Sequence, residues 1–343
     1  MNAPRNIRGF RSALLLWYRR HGRDLPWRRT RDPYAVLVSE LMLQQTQVAT
    51  VIPYYNEWLR RFPDFASLAR ASQNNALRAW QGLGYYGRAR NLQATARTVV
   101  DRYRGRSPRS VEQMQQLPGI GKYTAHAVAS FAFDQSVPIV ESNTARVLTR
   151  LFDFRESIDS DRGRQTLWQY AAMLVPKSNA SIYNSALIDL GALVCVARQP
   201  KCGICPVEKF CRAKNPQILP VRKSRPSTKR LIEQHAFVVR QGKILLEQSS
   251  TRWRGMWILP LLKLNCFKQS SSYRGAIYTS VFPFTNHRIT LKVYAERRRK
   301  IDKDSQRWIR VNSLESIPIP SPHRRALQHL LQRDRPTQVR LER

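Results

Sequence analysis

Acidic residues are scarce in this chain: 23 Asp and Glu stand against 59 Lys and Arg, a formal charge of +36. Such an imbalance exceeds what solubility needs and points to a polyanionic partner. Long apolar stretches are missing as well. Nowhere do about eighteen uncharged apolar residues run together, so no membrane-spanning helix is expected. Residues 1–9 also lack the apolar core of a secretory segment. The expectation is a cytoplasmic protein with no membrane association, whose cysteines stay reduced.

Nucleic acid and an anionic membrane surface both reward basic side chains. Here the basic residues, Arg88, Arg90, Arg97, Arg102, Arg104 and Arg106 among them, are spread through segments with folded patterning rather than gathered beside one amphipathic anchor. That favours a folded nucleic-acid binder, although ordinary solvated faces account for part of the excess.

A chain of 343 residues has room for two or three domains. From 10 to 214, apolar positions recur three or four apart, with breaks at Pro26, Pro33, Pro63, Pro108, Pro118, Pro138 and Pro176. This part reads as all-helical. The following stretch, PQILPVRKSRPSTK, is proline-rich and basic, unsuited to the interior of a helix or a sheet. A hairpin is expected over 235–246, turning at Gln241-Gly242, with strands at 276–282, 289–295 and 307–311 and a helix over 322–332. The expected order is a helical domain over 1–215, a linker over 216–232, a smaller α+β domain over 233–332 and a disordered basic tail over 333–343.

Cys195, Cys202, Cys205 and Cys211 are separated by six, two and five residues. Four thiolates at this spacing suit the corners of a [4Fe–4S] cluster. Tetrahedral zinc is the rival, but its ligands usually come as two close pairs and only Cys202 and Cys205 form one. Disulfides are disfavoured by the reducing compartment. Cys266 falls outside the array and is expected to pack as a small apolar residue.

Two further features carry chemistry. LPGIGKYT at 117–124 lies between helical stretches, and Gly119 and Gly121 permit a turn with uncovered amides that can hold phosphate oxygens, as in helix-hairpin-helix binding of DNA. A plain turn between helices is the blander reading. Glu40, on a helix from Tyr34, borders an apolar stripe of Val36, Leu37 and Leu41 continued by Val48 and Val51. A carboxyl there loses hydration, which raises its pKa and keeps a proton available, unless it is an ordinary exposed glutamate.

LPWR at 25–28, SELMLQQTQVATVIPYY at 39–55, GLGYYGRARN at 82–91, LPGIGKYTA at 117–125 and the cysteine array together resemble the MutY-type adenine DNA glycosylases of the endonuclease III superfamily. The resemblance covers nearly the whole helical part. It implies an all-α helix-hairpin-helix glycosylase domain with a [4Fe–4S] lobe, followed by a smaller α+β MutT-like domain. The implied activity is that of a monomeric, monofunctional glycosylase excising adenine mispaired with 8-oxoguanine or guanine in double-stranded DNA. A lesion-binding protein of the same family with weakened or altered catalysis is the alternative.

Cutting an N-glycosidic bond needs an acid for the departing base and a negative group for the oxocarbenium ion left on the sugar. The resemblance puts Glu40 at the general acid. Where the family reads Asp-Gly-Asn, this chain reads Glu141-Ser142-Asn143, so Glu141 keeps the charge on a longer arm, and Ser142 matters if the backbone there has a positive φ. Asn143 and Arg146 match the family and are expected to orient the site and support the fold.

Tyr123 stands where bifunctional relatives carry a lysine nucleophile, and a phenol forms no Schiff base. Lys122, about 100° round the helix, is expected on a phosphate. Gln44, Gln45 and Tyr85 match positions that wedge or intercalate when adenine is flipped out. Arg88, Gly119 and Gly121 complete the DNA-facing set, and Ser185 stands where the family commonly carries glutamine or glutamate against the adenine edge. RGMWILP at 254–260 resembles the G-x-W-x-x-P stretch of MutT-like domains, with no glutamate-rich pyrophosphatase box after it, so lesion binding without nucleotide hydrolysis is expected. Thr285-Asn286-His287 takes the place of the family's Phe-Ser-His loop. Asn286 and His287 are expected to read the oxidised base with Phe284 as the aromatic partner, His287 being otherwise a plain turn residue.

Overall fold

The computed structural model describes residues 6–224, 226–262, 275–296, 301–302 and 304–333. Cys266 and the tail after 333 lie outside them. Two units separate by packing: Met1–Arg70 with Asn91–Ser224, and Ala71–Arg90 with Arg225–Arg343.

Helices run α1 (Ile7–His21), α2 (Pro33–Leu43), α3 (Val48–Arg61), α4 (Phe65–Arg70), α5 (Gln73–Ala79), α6 (Gly87–Tyr103), α7 (Val111–Gln115), α8 (Lys122–Phe133), α9 (Ser142–Phe152), α10 (Asp161–Leu174) and α11 (Ala180–Asp189). A π-helical turn, Leu190–Val194, follows. Of these, α5 and residues 87–90 of α6 group with the second unit.

In the first unit α2 is buried continuously from Tyr34 to Met42, as expected of a helix that is apolar all round. Its start is fixed by Asp32, whose carboxylate accepts the N–H groups of Tyr34 and Ala35, with Pro33 at the first helical position. A core of Phe10 and Leu14 from α1, Leu148 and Leu151 from α9, Leu174 from α10 and Leu187 from α11 packs together. Each such side chain contributes about 2 kcal/mol on burial. That core anchors α9 and α11, which carry Asn143 and Ser185.

The second unit holds β1 (Lys229–Phe237), β2 (Val239–Arg240), β3 (Lys243–Gln248), β4 (Trp257–Ile258), β5 (Tyr278–Phe284), β6 (His287–Ala295), β7 (Gln306–Arg310) and α12 (Ser321–Arg333). One sheet has the order β1-β6-β5, with β1 parallel to β6; in the other, β3 pairs with β2, β4 and β7. Two sequence expectations need correction. Strand β1 begins at Lys229, inside the stretch 216–232 read as linker. Its first residues are exposed on an outer strand, where basic side chains stay hydrated and nothing opposes pairing. The hairpin expected over 235–246 also divides, because Ala236 and Phe237 pair with Tyr294 and Ala295 of β6. Val239 and Arg240 pair with Ile244 and Lys243 across the turn, and the Leu245 N–H donates to the Val238 carbonyl at 3.0 Å; Gln241 and Gly242 have φ of 49° and 67°, suited to a two-residue hairpin.

Candidate active site

Within the first unit, a cavity of about 1210 Å³ is lined by α2, α8, α11, the start of α9 and the turn Pro26–Arg28. It gathers Glu40, Gln44, Gln45, Gly119, Gly121, Lys122, Tyr123, Glu141, Asn143 and Ser185. Glu40 and Glu141, about a hundred positions apart in the chain, thus line one cavity.

Glu40 is 5% exposed. Burial pushes its carboxyl up to about 7, and the charge of Glu141 adds to the rise; the Tyr123 hydroxyl and the Arg28 guanidinium oppose it. Tyr123 Oη donates to Glu40 Oε2 at 2.7 Å, so one carboxyl oxygen is occupied and the other is left to carry a proton. The phenol itself is held well above its ordinary pKa by burial and by Glu40, which keeps it a donor.

Glu141 caps α9. Its Oε1 accepts the N–H groups of Asn143 and Thr144, both at 2.8 Å, and Thr144 Oγ1 accepts the Glu141 N–H at 2.8 Å, which completes a capping box. Asn143 Nδ2 donates to Oε2 at 3.3 Å. Burial raises the Glu141 pKa while these donors oppose it by favouring the anion. Ser142 is the first residue of α9 and is absent from the described residues with positive φ. No positive φ therefore calls for a glycine at this position. Arg146 supports the cap from below, its guanidinium donating to Asn143 Oδ1 at 2.8 Å and to the carbonyls of Gly191 and Cys195, each at 2.7 Å. A Cβ on Gly191 would lie 2.7 Å from that of Asn143, so this approach needs glycine.

The hairpin between α7 and α8 divides its two glycines by role. Gly119 has φ 73°, and a Cβ there would lie 2.2 Å from Asn91 Nδ2. Gly121 is extended and exposed, with open space where its Cβ would sit. Lys122 Nζ lies 4.2 Å from the centre of the Trp168 ring. Gln44 Nε2 donates to Thr124 Oγ1 at 3.4 Å, and Gln45 has φ 57°.

Sequence reasoning assigned no role to Arg23, Arg28 and Asp189. Asp189 is fully buried, and both oxygens are taken: Arg23 donates from its main chain and Nε at 2.8 Å, Arg28 from Nη1 and Nη2 at 2.7 and 2.8 Å. Burial raises the Asp189 pKa, and the two guanidiniums more than offset it. The clamp joins two cavity walls, the segment around Pro26–Arg28 and α11. An acidic residue in the otherwise apolar ALIDLGALV was the available signal.

Four of the expected DNA-facing residues lie in the second unit, outside this cavity. Tyr85 is 41% exposed with φ 47°. Arg88 is only 7% exposed, and its Nη2 donates to the carbonyls of Leu83 and Gly84 at 3.1 Å. It organises the turn behind Tyr85 rather than presenting its charge to solvent. Asn286 is exposed and His287 half-buried at the β5–β6 turn.

Cys195, Cys202, Cys205 and Cys211, the cysteines among the described residues, are free thiols. Burial pushes the Cys205 thiol up to about 11, and Cys195, Cys211 and Cys202 all add to the rise, so the four lie within electrostatic reach of one another. A donor set of four free thiols fits a [4Fe–4S] cluster. Arg150, 1% exposed, pins the loop by donating to the carbonyls of Pro216, Val196 and Ala197 at 2.7, 2.7 and 2.8 Å and to Cys195 Sγ at 3.3 Å. Replacing it strands those acceptors. Arg150→Met is expected to cost about 3 kcal/mol or more and to remove most of the visible absorption of the iron–sulfur centre in anaerobically purified protein; spectra and thermal melts of both forms check this.

Residues 38–173 match the HhH-GPD superfamily base excision DNA repair protein family, and residues 195–211 match the iron–sulfur binding domain of endonuclease III. The chain is 47% identical over 217 residues to the adenine DNA glycosylase of Homo sapiens, covering 61% of this chain and 40% of that protein. To the adenine DNA glycosylase of Buchnera aphidicola subsp. Baizongia pistaciae it is 37% identical over 263 residues, 76% of this chain and 73% of the relative. The match thus spans 40–42% of the length of the human, mouse and rat relatives. Among solved structures, a thermostable thymine-DNA glycosylase has a TM-score of 0.56 at 32% identity, covering 60% of this chain and 95% of its own. A non-covalent endonuclease III–DNA complex, with a TM-score of 0.53 at 24% identity over 62% of this chain and 96% of its own, shares the fold.

Proposed function

This chain belongs to the adenine DNA glycosylase family, and from that premise we propose that it is a monofunctional glycosylase excising adenine mispaired with 8-oxoguanine or guanine from double-stranded DNA. The observation that carries this reading is the pair of unlike carboxyls in one cavity. Glu40, buried and held protonated near neutrality, gives its proton to the departing base. Glu141, bonded by two main-chain N–H groups at a helix start, remains the anion that faces the positive charge growing on the sugar.

Asn143 holds the second oxygen of Glu141, and Ser185 lines the cavity with a short hydroxyl for the base edge. The [4Fe–4S] cluster, held by Cys195, Cys202, Cys205 and Cys211, serves as a cross-link of its loop. Basic residues of that loop, Arg198 and Lys201 among them, supply positive charge that attracts phosphate.

The second unit acts in this reading as a MutT-like reader of the oxidised guanine. Asn286 at the β5–β6 turn has an amide free in type to both donate and accept, and Tyr85 offers an exposed ring for stacking. The protein works as a cytoplasmic monomer; among the described residues no helix is long and apolar enough to cross a membrane.

Single-turnover assays on an A:8-oxoguanine duplex test the proposal. Adenine is expected to be released with no strand cut and no borohydride-trapped adduct, because Tyr123 cannot form a Schiff base. Tight binding without release would make this a lesion-binding protein, and release of a different base would overturn the assignment of adenine.

A further inference from the structure

Residues 71–90 lie between helices of the first unit in the chain yet group with the C-terminal part. Named contacts hold them there. Gln81 Oε1 accepts the main-chain N–H of Ile319 and a guanidinium N–H of Arg324, each at 3.2 Å. Arg90 Nη1 donates to the carbonyl of Arg254 at 2.9 Å. Gly255, with φ +83°, approaches α5 so closely that a Cβ would lie 2.9 Å from Gln73 Oε1.

The same short segment carries Tyr85 in a left-handed backbone, φ 47°. A tyrosine rarely adopts that conformation unless its surroundings impose it. On one side Arg88 imposes it, bonding the Leu83 and Gly84 carbonyls with its guanidinium 5.5 Å from the Tyr85 ring. Trp80 Nε1 adds a bond to the Gly84 carbonyl at 3.1 Å. On the other side the turn is tethered through Gln81.

We infer that Gln81 is a positioning residue for lesion discrimination, receiving Ile319 and Arg324 so that the C-terminal part sets the pose of Tyr85. The aromatic face and the β5–β6 turn then belong to one structural unit. This rests on the reading above that Tyr85 stacks beside oxidised guanine.

The test compares kcat/KM for adenine opposite 8-oxoguanine with that for adenine opposite guanine. Gln81→Met, which keeps the side-chain length and removes the acceptor, is expected to lower that preference about tenfold, the loss opposite guanine being much the smaller. Gln81→Glu keeps the acceptor and is expected to restore the preference. Adding Gln81→Met to Tyr85→Ala is expected to cause no further loss, since Gln81 acts through Tyr85. Arg324→Met reads the same contact from its other end if Gln81→Met melts early.

A preference that survives both Gln81→Met and Arg324→Met overturns the inference, as does an equal loss on both substrates. A wild-type protein with no preference for 8-oxoguanine would instead sink the functional reading on which it stands.

Discussion

Glu40→Gln is expected to slow adenine release about a thousandfold under single-turnover conditions while the duplex is still bound. The amide is isosteric with the acid, and its oxygen still accepts from Tyr123 as Glu40 Oε2 does at 2.7 Å. Only the transferable proton is lost. The pH profile follows with a fixed sign: the proposed acid works from its protonated carboxyl, whose pKa is pushed up to about 7 by burial and by Glu141. Release is therefore expected to be level below that pH and to fall toward tenfold per unit above it. Tyr123→Phe removes a donor that favours the anion, so the falling limb should move to higher pH. A flat profile between about pH 6 and 8, or a fully active Glu40→Gln, would remove Glu40 from the role of acid.

Local chemistry was readable along the chain wherever one segment sufficed. The run from Tyr34 to Met42 was legible as buried helix because so little in it is polar, and that same run made Glu40 conspicuous. Cysteine spacing pointed to the cluster, and LPGIG to the turn before α8. What stayed hidden depends on partners brought from afar. Arg88 entered the DNA-facing set because sequence shows a charge and not the Leu83 and Gly84 carbonyls that its guanidinium bonds. Asp189 gave no hint of being shared by Arg23 and Arg28, more than 160 positions away. The packing of 71–90 with the C-terminal part was equally silent, since helical periodicity runs through α5 and α6 without marking which unit each faces. The doubt over Ser142 dissolved for a backbone reason: the helix starts there, so the position needs an ordinary helical residue.

Replacing the second carboxyl separates its charge from its structural duty. Glu141→Gln is expected to slow base release about a hundred- to a thousandfold, with the melting temperature nearly unchanged. A glutamine oxygen can still accept the Asn143 and Thr144 N–H groups now bonded at 2.8 Å, so the cap survives while the negative charge proposed to stabilise the sugar cation is gone. Glu141→Ala removes both and is expected to cost about 1 kcal/mol of stability as well. Glu141→Asp keeps charge and capping ability on an arm shorter by one methylene, and it restores the family's residue; release at least as fast as in the parent chain is the expected result. The two α9 donors decide this, because they hold whichever carboxylate stands at the helix start, and a shorter arm has fewer rotamers in which to leave them. Should Glu141→Gln release adenine at the parental rate with the cap intact, the anion is not used, and the sugar cation must be met by another group.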